Sequence, residues 1–258
     1  MESKITPKYT RYADIKRLAF IVSTLKDGYK SPEDVNVLDV GCGNGIISLN
    51  LGELGYNVHG IELSEDALDI AKSQNKFSNV IFEKANAETL KLKGKKYDVV
   101  ICSEVLEHLH HPENLLQELS HLIKNDGVLI VTVPNGIGPR EMFVTRPFIK
   151  IRNNNGLSWK LLSTVKSKLG YSGTTIQSAA SDLDHIQFFT KKQLKKLAEN
   201  SGFEIIKLSA ANFIDDVFPF SIVARNSMSI QKFDSKIADY LPTGMSGGYH
   251  MVWKQIES

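Results

Sequence analysis

The chain is poor in several things. It holds 2 cysteines, 2 tryptophans and 8 prolines in 258 residues. Two cysteines exclude a disulfide framework and any four-cysteine zinc centre. Cys42 falls in a glycine-rich turn and Cys102 at the end of an apolar run, placements that fit free thiols in a reducing compartment. No run of about 18 apolar residues occurs, and the opening Met-Glu-Ser-Lys-Ile-Thr-Pro-Lys lacks an apolar targeting core, so a soluble, cytoplasmic protein is expected. Charge of one sign is scarce as well. With 31 Lys and Arg against 29 Asp and Glu, the net of +2 is too small to argue for nucleic acid. No lysine stands between Lys30 and Lys72, which excludes a P-loop there.

What is present is a core and a rhythm. Hydrophobic residues make up 42% of the chain, and its length fits one α/β domain (1–258) with an insertion (135–183) before the last strands. Apolar spacing predicts a helix over 13–26, then strands at 37–40, 57–61, 80–82, 97–102 and 128–133. Between them lie helices over about 45–54, from Ser64 with Ala67, Leu68, Ile70 and Ala71 inward, and through Leu115 to Ile123, with Asp126-Gly127 turning the last. Strands alternating with helices predict a doubly wound, mostly parallel sheet with ligands at its carboxyl edge. After 183, Thr190 caps a helix that stops at Gly202, 203–209 and 249–256 read as strands, and 228–240 reads as a helix. Phe218 to Val223 is apolar enough for another strand or a buried segment.

Residues 37–45 read Val-Leu-Asp-Val-Gly-Cys-Gly-Asn-Gly, an apolar strand entering three glycines at alternate positions, with Asp39 two residues ahead. Glycine there lets a nucleotide-like ligand rest on backbone. Glu62 ends the next strand, about 20 residues on, where an α/β site binds ribose hydroxyls. The apolar Ile46 stands where a dinucleotide fingerprint needs its third glycine, which counts against NAD. The run resembles the first motif of class I S-adenosylmethionine-dependent methyltransferases, which implies a seven-stranded Rossmann-like sheet and S-adenosylmethionine as cofactor. By that resemblance Gly41, Cys42, Gly43 and Asn44 line the methionine part, Glu62 and Leu63 hold the ribose, and Asn86 and Ala87 hold the adenine. It also implies that Asp39 and Ser103 belong to the cofactor pocket, and that Arg17 pairs with the methionine carboxylate unless it is a surface residue.

The densest ionisable cluster is Ser103-Glu104-Val105-Leu106-Glu107-His108-Leu109-His110-His111-Pro112-Glu113. It resembles the fourth motif of small-molecule methyltransferases, most of all ubiquinone-pathway O-methyltransferases and relatives from polysaccharide gene clusters. Three roles compete for it. On a helical turn Glu104, Glu107 and His108 share one face and suit a divalent cation with a distant His185, as a similar set does in RNA 3′-terminal 2′-O-methyltransferases. Alternatively His108 is a general base, with an ordinary pKa of about 6.5 that suits neutral pH. In the third, the acids are structural, His110 and His111 are solvated, His111-Pro112 opens a helix, and His121 is a polar helix position. The run Asp182 to Thr190 offers His185 as a second base or substrate ligand, or as a packed side chain.

Between 140 and 168, Arg140, Arg146, Lys150, Arg152, Lys160, Lys166 and Lys168 stand against the single acid Glu141, with Phe143, Phe148 and Trp159 interspersed. Such a segment suits a lid, contact with an anionic membrane surface, or a phosphate-bearing lipid or sugar. The resulting expectation is an S-adenosylmethionine-dependent O-methyltransferase acting on a small-molecule, glycan or lipid-linked acceptor through His108 and His185. The alternatives are a metal-assisted RNA 2′-O-methyltransferase and an inactive cofactor-binding regulator.

Overall fold

The structure is a computed structural model that describes residues 9–90, 92, 94–147 and 185–256. Most of the 135–183 insertion, and with it the basic run beyond Arg146, lies outside the described residues. Seven strands form one sheet: β1 (Asn36–Val40), β2 (Asn57–Glu62), β3 (Val80–Lys84), β4 (Tyr97–Ser103), β5 (Ile123–Pro134), β6 (Phe203–Ala210) and β7 (Gly248–Gln255). Their order is β3-β2-β1-β4-β5-β7-β6. The pairs from β3 through β5 are parallel, and β7 runs antiparallel to both β5 and β6. The strand order reverses beside β1, so the ends of β1, β2 and β4 frame the crevice where such sheets take ligands.

Both faces of the sheet are buried, as the near-continuous apolar strands require. In β4, Val99 and Ile101 join Val37, Val58 and Ile130 under helices α1 (Tyr12–Gly28) and α2 (Ile46–Glu53). Val100 and Cys102 point the other way, into Leu38, Leu129, Val131 and Trp253. That second face is closed by α4 (Pro112–Leu122) and α5 (Lys191–Asn200), which supply Leu115, Leu116, Leu119, Leu194 and Ala198. Helix starts follow the capping residues. Ser64 accepts from the Ala67 N–H to begin α3 (Glu65–Gln74), and Thr190 with Gln193 forms a capping box on α5.

Four details depart from expectation. Helix α4 ends at Leu122, and Asp126-Gly127 lies inside β5. A Cβ at Gly127 would stand 2.8 Å from the Asp98 carbonyl, so glycine there serves close strand approach across a register shift and not helix termination. Ile70 of α3 is 39% exposed, because the buried stripe of that helix is only Ala67, Leu68 and Ala71 wide. The 218–223 segment is neither strand nor buried. It leads into a short helix, α6 (Phe220–Ala224), with Phe218, Phe220 and Val223 all exposed. Pro219 has no N–H for a sheet ladder and opens the helix instead.

Helix α7 (Met228–Tyr240) lies where expected but is inverted, burying Gln231, Asp234 and Ser235 while exposing Ile230, Phe233 and Tyr240. Its polar face works as a clamp. Gln231 accepts from the Tyr12 N–H at 2.7 Å, and Asp234 accepts from the N–H groups of Phe213 and Ile214 at 2.7 and 2.9 Å. Lys16 donates to the Ser235 carbonyl and pairs with Asp239. These bonds seat the start of α1 and the loop after β6 on one support.

His250 of β7 is buried opposite Thr132 and 5.5 Å from the Phe20 ring of α1. Burial, with the charges of Arg17 and Lys16 behind it, holds its pKa down at about 3 against an ordinary 6.5. The unfolded chain therefore binds a proton at this residue below about pH 6.5 that the native state refuses until about pH 3. The stabilising effect is whole above that window and falls as pH drops through it, by up to about 1.4 kcal/mol per unit from this group. Urea unfolding between pH 7 and about 4 is expected to show a shallower loss of stability in His250→Gln than in the wild type; parallel slopes would contradict the assignment.

Candidate active site

The glycine-turn side of the crevice is made almost wholly of backbone. Where β1 ends, the Gly41 and Cys42 N–H groups donate to the Ile61 carbonyl at 2.8 and 3.0 Å, tying the turn to the end of β2. Gly41, Gly43 and Gly45 have φ of 68°, 55° and 79°, a region that glycine enters without strain. Glu62 is fixed by three N–H donors, Gly43 on one carboxylate oxygen at 3.0 Å and Leu63 and Ser64 on the other at 2.8 and 2.9 Å. The acid is thus oriented beside the turn before any ligand arrives. Leu63 is 56% exposed just after it.

Asp39 sits beneath the turn, fully buried and accepting from the Ser48 hydroxyl at 2.6 Å. Burial, opposed by that bond and assisted by Glu62, pushes its carboxyl up to about 7. Its contact is with the support of the loop. Cys42 and Cys102 are both buried free thiols whose pKa burial raises, which leaves them unreactive. Asn86 and Ala87 lie half-buried at the end of β3, and the Asn86 side-chain oxygen caps the following turn by accepting from the Glu88 N–H at 2.9 Å.

Arg17 is not a surface residue. It is buried, paired with Asp14 at 2.7 Å and with Glu104 at 3.4 Å, and its Nε has no partner. Glu104 has φ of +57°, uncommon for a side chain of this type, and its N–H donates to the Thr132 carbonyl. Its carboxylate accepts from the Thr132 hydroxyl at 3.0 Å, and that hydroxyl lies 2.9 Å from the Ser103 hydroxyl. The helical turn covers only Leu106–His108. Glu104 therefore does not share a face with Glu107 and His108, and it leaves the cation set expected for it.

His185, the distant histidine expected in that set, does stand beside Glu107 and His108. The N–H groups of Ile186 and Gln187 both donate to the Glu107 carbonyl, at 2.8 and 2.9 Å, and the Gly136 N–H donates to the Phe189 carbonyl at 2.8 Å. A Cβ at Gly136 would fall 2.2 Å from the Phe188 carbonyl carbon, so only glycine admits this approach. The His185 and His108 rings stand edge to face, 5.2 Å apart. Donor atoms of Glu107, His108 and His185 all lie within 4.8 Å of one another, a set with the composition of a divalent-cation site. Both Glu107 carboxylate oxygens are buried without a hydrogen-bond partner. Burial, with the Glu104 charge behind it, raises its pKa well above the usual carboxylate range. A cation would supply the missing partner, so the residues fit one.

His111 is solvated as expected, 3.3 Å from Glu113 and leading into Pro112 at the start of α4, while His110 and His121 are exposed. Sequence reasoning missed Glu141. It lies on a π-helical turn (Glu141–Thr145) after β5, 1% exposed, with its Oε1 3.3 Å from His185 Nδ1. The available signal was a lone acid in a basic run.

Residues 9–208 match the family described as a methyltransferase domain. The ubiquinone biosynthesis O-methyltransferase of Rickettsia bellii (strain OSU 85-389) is 36% identical over 121 residues, covering 46% of this chain and 50% of the relative. That of Cupriavidus pinatubonensis is 27% identical over 190 residues, covering 72% and 67%. The chain spans about half the length of the first curated relatives it matches. Among solved structures, magnesium protoporphyrin IX methyltransferase from Synechocystis PCC 6803 with bound SAH superposes with a TM-score of 0.56 at 16% identity, covering 95% of this chain and 84% of that one. The CcbJ methyltransferase from Streptomyces caelestis gives 0.57 at 17%, covering 93% and 89%. The chain belongs to the methyltransferase-domain family and carries the class I fold of S-adenosylmethionine-dependent methyltransferases.

Proposed function

We propose that the protein transfers a methyl group from S-adenosylmethionine to a hydroxyl oxygen of a small-molecule acceptor. The observation that carries the reading is the Glu62 carboxylate, fixed by three N–H donors beside an open glycine turn, with the His108–His185 pair beyond the end of β4 on the other side of β1. The cofactor supplies an electrophilic methyl on a sulfonium. Gly41 to Asn44 seat its methionine part, Glu62 and Leu63 its ribose, and Asn86 and Ala87 flank its base. Arg17, through its unpartnered Nε, meets the carboxylate. Asp39 and Ser103 brace these elements from beneath.

On the acceptor side, the hydroxyl oxygen forms the new C–O bond as the C–S bond breaks, and its proton passes to the ring of His108. In-line displacement asks the protein mainly to align the oxygen and exclude water. Exposed Met142 and Phe143, flanked by Arg140 and Arg146, favour an acceptor with an apolar or lipid-linked part near an anionic group, and a membrane surface as its source.

A second reading is favoured by the two buried, unpartnered oxygens of Glu107. In it, Glu107, His108 and His185 hold a divalent cation, which would lower the pKa of the acceptor hydroxyl. The two readings separate in solution.

Glu62→Ala and Asp39→Ala are each expected to weaken S-adenosylhomocysteine binding by about 1–3 kcal/mol in calorimetric titration, because the first frees the three N–H donors that shape the turn and the second leaves the buried Ser48 hydroxyl unpaired beneath it. Unchanged affinity in both would remove the pocket assignment. His108→Ala is expected to keep cofactor affinity and to slow turnover about 100-fold or more; full turnover would exclude it as base and as ligand. The cation reading predicts that chelation abolishes turnover and that added divalent ion restores it, whereas a chelator-insensitive enzyme leaves His108 as base.

A further inference from the structure

Glu107, His108 and His185 do not account for every buried group around them. Glu141 is 1% exposed, and neither of its carboxylate oxygens has a hydrogen-bond partner. His185 Nδ1, 3.3 Å from Glu141 Oε1, is equally buried and equally unpartnered. An orphan acceptor and an orphan ring nitrogen thus face one another at slightly more than hydrogen-bonding separation. Leaving either unmatched costs free energy, and a small turn of the imidazole satisfies both.

Glu141 is held where it is. Its turn is joined to the site from both ends, by the Met142 N–H to the Gly138 carbonyl at 3.0 Å and by Arg146 to the Gly136 carbonyl at 2.8 Å. Arg146 also stacks 5.0 Å over the Phe188 ring, three residues from His185. A π-helical turn is itself uncommon and recurs at functional sites. Among the described residues, the donor atoms that cluster together are those of Glu107, His108 and His185, and Glu141 stands outside that set.

We infer that Glu141 is a positioning residue: it accepts the Nδ1–H of His185, fixes that tautomer and ring orientation, and turns the Nε2 lone pair toward His108 and Glu107. The inference rests on His185 standing at the acceptor side, and it holds whether Nε2 receives a proton or ligates a cation. A carboxylate behind a histidine sets which ring nitrogen is available.

The test reads the tautomer directly. The full chain, labelled with ¹⁵N in its histidine rings, is recorded by long-range ¹H–¹⁵N correlation at about pH 8, above the ordinary imidazole pKa of about 6.5. The His185 signals are assigned by their loss in His185→Gln. The expected result is a protonated Nδ1 and a bare Nε2 in the wild type, and a shift toward protonated Nε2 in Glu141→Ala. Glu141→Gln, whose amide oxygen still accepts, should retain the wild-type pattern. S-adenosylhomocysteine affinity should be unchanged in both variants. Turnover, or divalent-ion affinity if a cation binds, should fall about 10–100-fold in Glu141→Ala. A wild-type His185 protonated on Nε2 overturns the inference even if neither Glu141 variant folds, as does a Glu141→Ala tautomer identical to the wild type. If no acceptor is methylated but Nδ1 carries the proton and Glu141→Ala moves it, the functional reading fails and the positioning role stands.

Discussion

One carbonyl holds together the loops that carry Glu107, His108 and His185. The Glu107 oxygen takes two N–H donors, from Ile186 and Gln187, and through them a segment almost 80 positions away is laid against the loop after β4. Gly136 admits the same segment from its other side. His185, Glu141 and the two orphan carboxylates follow from that junction. Without it, His108 and Glu107 would be a short turn at a strand end with nothing opposite.

The two halves of the site are built by different physics. The half around the glycine turn is short-range: a turn tied to the end of β2, and an acid locked by the amides around it. The half around the histidines brings Glu107 and His108 from the end of β4, Glu141 from beyond β5 and His185 from the segment before α5, and burial there disfavours the charge of Glu107. Between the halves, on the face covered by α1, runs a polar seam of Arg17, Glu104, Thr132 and Ser103. The left-handed backbone at Glu104 belongs to that seam, and it is the reason one acid of the Glu-x-x-Glu-His run faces α1 while the other faces the histidines.

Hydrophobic pattern and burial part company at the C-terminal side. In α7 the residues that anchor are polar, because the groups they hold are backbone N–H groups at the start of α1 and after β6, which need hydrogen-bond partners. Apolar residues in α6 and α7 are left facing outward. Spacing marked the helix over 228–240 correctly, but its inward face was not legible from apolarity. The same limit misplaced 218–223, where Pro219 outweighed the apolar run.

By itself the sequence determined the alternating strands and helices, the glycine turn with Glu62 one strand away, and the caps at Ser64 and Thr190. Each of these is set by interactions within about 30 residues of chain, so each leaves a local signature. Tertiary structure alone decided that Arg17 is buried, that Glu104 turns from the histidines, and that Glu141 stands behind His185. Those placements depend on contacts between segments up to about 90 residues apart in the chain, and on which polar groups the fold strips of water. No spacing rule within a single segment encodes either.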